Sequence, residues 1–128
     1  LDGQRTRPHG AELNLLDMTY SLKSLMWRQV GIERDARGLS DAIERLDAWE
    51  GYLSRLGPFS TEGIETANMV QVAQVLARSG LFREESRGAH FRTDFPSARA
   101  PWEAHTLVQP RADGVQTGLS RLTCREMA

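Results

Sequence analysis

The sequence lacks the features that nucleotide-binding enzymes usually display. It has no GxGxxG and no GxxxxGKS/T, and Gly57, Gly63, Gly80 and Gly88 stand singly, each explicable by a helix end or a turn. No strand followed by a glycine-rich turn and a helix is visible. Cysteine is reduced to Cys124, which excludes an intrachain disulfide and fits a reducing, cytoplasmic setting. Charge of one sign is missing too: 16 basic and 17 acidic residues leave a net charge of −1. There is no surplus of cations to displace counterions from nucleic acid or to hold an anionic membrane. Apolar runs are broken by charges well short of the roughly 20 residues that cross a bilayer, and nothing resembles an export signal, so a soluble chain is expected. Lysine occurs only as Lys23, the other fifteen cations being arginine, a skew that a GC-rich genome would produce and that carries little mechanistic weight.

What is present is enough for one ordinary domain, 128 residues with 40% apolar content. After the polar start LDGQRTRPHG, which reads as a linker over 1–12, Leu15, Met18, Leu22, Leu25, Met26 and Val30 recur at intervals of three and four. The spacing predicts a helix from about Ala11 to Arg34, weakened at Gly31. The stretch DARGLSD interrupts it, with Gly38 available to turn the chain. A second, sharply amphipathic helix carries Leu39, Ala42, Ile43, Leu46, Trp49, Leu53 and Leu56 on one stripe and stops at Pro58. Ser60 or Thr61 can cap a third. Its apolar residues, from Ile64 to Ala77, cover most of the circumference and predict the most buried helix, running to Glu85 or Ser86 with Gly88 as its stop. Trp27 and Trp49, on helical stripes, read as core, while Trp102 lies outside any periodic segment and suits an anchor for the tail. Pro96, Pro101, Pro110 and scattered glycines leave no sustained period afterwards, so the last thirty residues read as an extended tail, whether ordered or not. The expected fold is all-α, an antiparallel three-helix bundle with an irregular C-terminal extension. The competing arrangement is a two-helix hairpin completed by another polypeptide.

The densest polar string is REESRGAHFRTDFP, from Arg83 to Pro96. Ser86, His90 and Asp94 supply the residue types of a hydrolase triad at intervals of four, but Gly88 argues against one continuous helix face, and triads gather residues distant in sequence. His90, Asp94 and His105 match no compact metal spacing, so ordinary polar loop roles are preferred for them. Pairing explains the string better. The arginine fork grips carboxylates through two parallel bonds, so Arg83, Arg87 and Arg92 beside Glu84, Glu85 and Asp94 can lock a helix end and a loop into one shape. Were these pairs merely exposed, each would contribute only about 0–1 kcal/mol.

The same string resembles the signature of the C-terminal helical domain of the succinate dehydrogenase and fumarate reductase flavoprotein superfamily. Within it, LMWRQVGIERDARGLSDAIERLDAW, from Leu25 to Trp49, is similar to the L-aspartate oxidase branch in its ordered Met-Trp, Val-Gly-Ile, Arg and Gly-Leu. Asn68-Met69, Trp102 and His105 extend the likeness over 13–107, read as one helical domain followed by a tail over 108–128. Thr93 stands where the respiratory flavoproteins more often carry an acidic residue, which favours L-aspartate oxidase over a succinate dehydrogenase or fumarate reductase subunit. The resemblance implies a parent enzyme that uses FAD to oxidise L-aspartate to iminoaspartate in NAD biosynthesis. It also implies that the FAD-binding and capping domains of the same polypeptide carry catalysis and cofactor, with no catalytic, cofactor-binding or metal residue here. Glu85, Ser86, Arg87, Gly88, Ala89, His90, Arg92, Asp94 and Pro96 match the motif, and the resemblance gives them a docking and shaping role against the catalytic body. An independent helical interaction module sharing the motif is the other functional class.

Overall fold

Three helices form where the apolar spacing places them: α1 (His9–Gln29), α2 (Ala36–Leu56) and α3 (Thr61–Phe82). The computed structural model describes residues 9–57, 60–111 and 114–120. The helices run up, down and up around one core, to which α1 gives Met18, Leu22 and Leu25, α2 gives Leu39, Ala42, Leu46 and Leu53, and α3 gives Val70, Ala73 and Ala77. All three stripes close on one another within this chain, so the two-helix alternative is not what forms. Small residues set the distances. A Cβ added to Gly80 would already touch Leu39 Cδ2 at 3.4 Å, and Ala73 and Ala77 let α3 lie closely along α2.

The caps show why the helices start where they do. Asp35 has extended backbone, and its Oδ1 accepts from Gly38 N at 2.7 Å, closing the first turn of α2. Gly38 is therefore inside a helix and not a turn, a correction to its reading from sequence. Ser60 does the same for α3, accepting from Gly63 N at 2.9 Å, and Gly57, at φ 76°, ends α2. Pro58, the expected stop, lies outside the described residues.

Other boundaries differ from expectation for local reasons. α1 ends at Gln29 instead of Arg34, because the chain folds back at Gly31 so closely that a Cβ there would sit 2.2 Å from the Trp27 carbonyl oxygen. α3 ends at Phe82, short of Glu85, and Gly88 instead serves a later turn at φ 58°. α3 is also not buried all round: its core face is Gly63, Thr66, Val70, Ala73, Gln74, Ala77 and Gly80, and its opposite face is apolar but exposed. Trp27 points to solvent, with Trp49 partly buried against the core.

The expected irregular extension carries a hairpin. After a short 3₁₀ turn at Ala100–Trp102, β1 (His105–Arg111) pairs antiparallel with β2 (Gly114–Ser120), His105 opposite Ser120 and Arg111 opposite Gly114. Pro110 within β1 hides the strand in the sequence, since proline normally argues against a ladder position; a two-stranded ribbon offers it an edge. No described helix is long and apolar enough to cross a membrane.

Candidate functional site

The Arg83–Pro96 string folds over the end of the bundle where α1 meets α2 and α3 terminates. Arg92 is 1% exposed, and its side chain reaches the last carbonyls of α3: Nη1 donates to Leu81 O at 2.7 Å, to Arg83 O at 3.3 Å and to Gly80 O at 3.4 Å. A helix C-terminus presents unpaired carbonyls and partial negative charge, which a guanidinium satisfies on both counts. The rest of the fork grips Asp94, Nε to Oδ1 at 3.0 Å and Nη2 to Oδ2 at 2.6 Å. Asp94 Oδ2 in turn accepts from Ala36 N at 3.1 Å, in the first turn of α2, where a negative charge is favoured. One ion pair thus bridges the C-terminus of α3 and the N-terminus of α2.

Around that pair the backbone is pinned by side chains that face inward. Ser86 Oγ accepts from Arg92 N at 2.9 Å and donates to Phe95 O at 2.7 Å. Glu85, fully buried, accepts from Arg83 Nη1 at 3.0 Å, Arg87 Nε at 2.9 Å and Arg99 N at 2.8 Å. Arg87 and His90 exchange backbone bonds at 2.8 and 3.0 Å across Gly88-Ala89, and the positive φ of Gly88 is what that tight turn requires. His90 Nε2 lies 3.1 Å from Arg83 O, and Nδ1 lies 3.0 Å from Arg34 Nη1. Arginine can only donate and a carbonyl only accept, so the network assigns the neutral Nε2–H tautomer.

The electrostatics agree with the geometry. Burial alone pushes the Glu85 carboxyl up, but the Arg87 hydrogen bond, the Arg99 amide and the charges of Arg87 and Arg83 outweigh it, leaving the carboxyl below its ordinary value. The hydrogen bond from Arg92 holds Asp94 below the usual carboxylate range against a smaller effect of burial. Burial, followed by the nearby Arg34, Arg92 and Arg83 charges, lowers His90, the Arg83 carbonyl opposing them.

The residues of the string come together, though not as a catalytic set. Ser86, His90 and Asp94 each bond elsewhere, so no nucleophile–base–acid relay forms. His105 lies on β1, apart from His90, and no three His, Cys, Asp or Glu side chains gather as metal ligands among the described residues. Glu84 supplies its carbonyl to Arg99 at 3.2 Å, where pairing of its carboxylate was expected. Arg83 also donates to Trp102 O at 2.8 Å and to Ala104 O, and Trp102 packs edge-on against Phe82 with centroids 5.4 Å apart, anchoring the following segment. Sequence reasoning did not single out Arg34. Its amide donates to Phe91 O at 3.1 Å and its carbonyl accepts from Thr93 N at 2.8 Å, which ties the α1–α2 corner to the string. The available signal was its place in the second quoted block, between Leu25 and Trp49.

Comparison with known proteins follows the same outline. Residues 19–127 match the family model described as fumarate reductase flavoprotein C-term. An L-aspartate oxidase of Bacillus subtilis is 46% identical over 92 residues, covering 72% of this chain and 17% of that protein. A fumarate reductase flavoprotein subunit of Mycobacterium tuberculosis is 36% identical over 110 residues, covering 78% of this chain and 19% of that protein. The FrdA chain of E. coli quinol fumarate reductase superposes with a TM-score of 0.68 at 24% identity, over 90% of this chain and 24% of that one. The chain therefore spans about a fifth of the length of the curated relatives it matches.

Proposed function

The chain belongs to the fumarate reductase flavoprotein C-terminal family, and from that membership we propose that it is the C-terminal helical domain of an FAD-dependent L-aspartate oxidase. In this reading the whole protein oxidises L-aspartate to iminoaspartate for NAD biosynthesis in the cytoplasm. The observation that carries the branch is the 46% identity to an L-aspartate oxidase, supported by Thr93 in place of an acidic residue after Arg92. The reading assigns FAD no contact in this chain, supported by the two described positive-φ glycines, Gly57 and Gly88, serving a helix end and a tight turn. Flavin and substrate chemistry are assigned to the FAD-binding and capping domains of the longer polypeptide, and no step is drawn through residues of this chain.

The contribution of 13–107 is then mechanical. Glu85, Ser86, Arg87, Gly88, His90, Arg92 and Asp94 hold the end of the bundle in one shape, so that the domain meets the catalytic body as a rigid unit and stabilises it. A second reading, a fumarate reductase flavoprotein subunit, is favoured by the 36% identical relative. The test is to express the longer polypeptide and assay purified protein with L-aspartate and with succinate. Bound FAD with aspartate-dependent peroxide or fumarate consumption is expected; turnover of succinate alone selects the second reading. The 128-residue chain by itself is expected to be colourless and inactive, and stoichiometric flavin retained on it would overturn the accessory role.

A further inference from the structure

The outward faces of the three helices are not alike. α2 turns Glu44, Arg45 and Arg55 outward, as a helix facing water does, while its Asp47 and Glu50 accept from Gln74 and Asp47 also from Arg78 of α3. α1 instead places Leu16, Tyr20 and Trp27 at intervals of four and seven, opposite its core residues, with Tyr20 66% and Trp27 73% exposed. α3 places Ile64, Val72, Val75 and Leu76 opposite its own, with Val72 60% and Leu76 51% exposed. The helices that carry the two stripes are separated by a groove lined by Leu15, Leu16, Thr19, Thr66 and Met69, which Leu16 of the first stripe enters. Single exposed apolar residues are ordinary on any protein; two apolar stripes on helices that flank a groove are the pattern of a covered surface.

We propose that this α1–α3 face is where the domain seats on the catalytic body of the same polypeptide, against an apolar surface carrying basic groups at its border. The proposal rests on the reading of the chain as one domain of a longer flavoprotein. Two observations bear on the occupant, and the first favours the catalytic body over a second copy. Matched relatives extend over about five times the length spanned here, and a tethered body meets the face at high effective concentration. The groove is also rimmed by Glu62 and Glu65, with Lys23 on the adjoining side of α1. Basic groups on another surface complement that acidic rim. The Arg83–Pro96 string, whose buried donors are met within the chain, shapes the end of the domain, and the α1–α3 face supplies the contact.

Tyr20→Glu and Leu76→Glu, one on each helix, test this in the 128-residue chain and in the longer polypeptide, with Ser54→Glu on the outward face of α2 as control. In the 128-residue chain all three are expected to keep the wild-type thermal midpoint, since the side chains stand in solvent. In the longer polypeptide the two face variants, and not the control, are expected to lower the midpoint and to speed protease release of the domain about tenfold, as a larger open population requires. Wild-type release by both face variants overturns the proposal. So does a 128-residue chain that sediments as a dimer and is made monomeric by Tyr20→Glu or Leu76→Glu, because the face then belongs to a second copy. A longer polypeptide without flavin would defeat the proposed function, while the release assay would still report on the face.

Discussion

The two ends of the bundle are closed by different chemistry. Where α2 turns into α3, the ties between helices among the described residues are neutral and few: Thr19 and Thr66 hydroxyls at 3.4 Å, and Asn14 to the Tyr52 hydroxyl at 3.3 Å. At the other end buried Glu85 and Arg92 stand in place of apolar residues as the filling, and Asp94 pairs with Arg92 from the exposed rim. A buried charge ordinarily costs more in desolvation than its partner returns. Here the cost is offset because helix termini need partners anyway: the guanidinium of Arg92 meets carbonyls that α3 leaves open, and Asp94 meets an amide that α2 leaves open. The contrast teaches that charge is retained inside a small domain where one side chain answers several orphaned backbone groups together.

The largest effect that would sharpen this contrast is expected from Arg92→Ala. It removes a donor from three carbonyls and from Asp94, leaving Asp94 only the Ala36 amide and the Arg83 carbonyl only His90, and a loss of about 3–5 kcal/mol is expected, measured by chemical denaturation. Arg92→Lys should recover only part, since an ammonium cannot reproduce the fork. A loss below about 1 kcal/mol would reduce this end to the level of surface pairing. Next is Ser86→Ala, which leaves the buried Arg92 amide and the Phe95 carbonyl unpaired at a cost of about 1–3 kcal/mol.

A smaller, pH-dependent loss is expected from His90, whose ring is partly open to solvent. Its folded-state pKa lies below the unfolded value of about 6.5, so the contribution is fully present above that pH. It is lost as pH falls from there through the lowered pKa, the unfolded chain binding a proton that the folded ring refuses beside Arg34. Thermal midpoints of wild type and His90→Gln over that window would check it; an equal slope in both removes His90 from the account. Smallest is Tyr52→Phe at the neutral end, expected within about 0.5 kcal/mol of wild type. A larger loss there would erase the difference between the ends.

Much of this was legible in the residues. The stripe from Leu39 to Leu53 and the cap at Ser60 depend on neighbours within one or two turns, and local spacing suffices to read them. The carboxylate partners of Arg87 and Arg92 were legible too, each two residues away. Contacts set by tertiary geometry were not: Arg34 finds His90 56 positions along, and no local pattern couples them. Trp27 looked like core because periodicity shows that a helix has apolar positions without showing which of two apolar faces turns inward. The hairpin after Ala104 was obscured by Pro110 and by strands too short for alternation to stand out.

The bond between Ala36 and Asp94 spans 58 positions and encloses both α2 and α3. Closing so long a loop costs chain entropy that local helix contacts do not incur, so the α2–α3 hairpin can assemble before the string returns to cover it. Interactions formed after the rate-limiting step govern escape from the native state more than arrival at it. In a chevron experiment Arg92→Ala should therefore leave the folding rate nearly unchanged and raise the unfolding rate by nearly the whole stability loss. On that expectation the string is a kinetic latch, through which one guanidinium weighs on the lifetime of the folded domain more than on the speed of its formation.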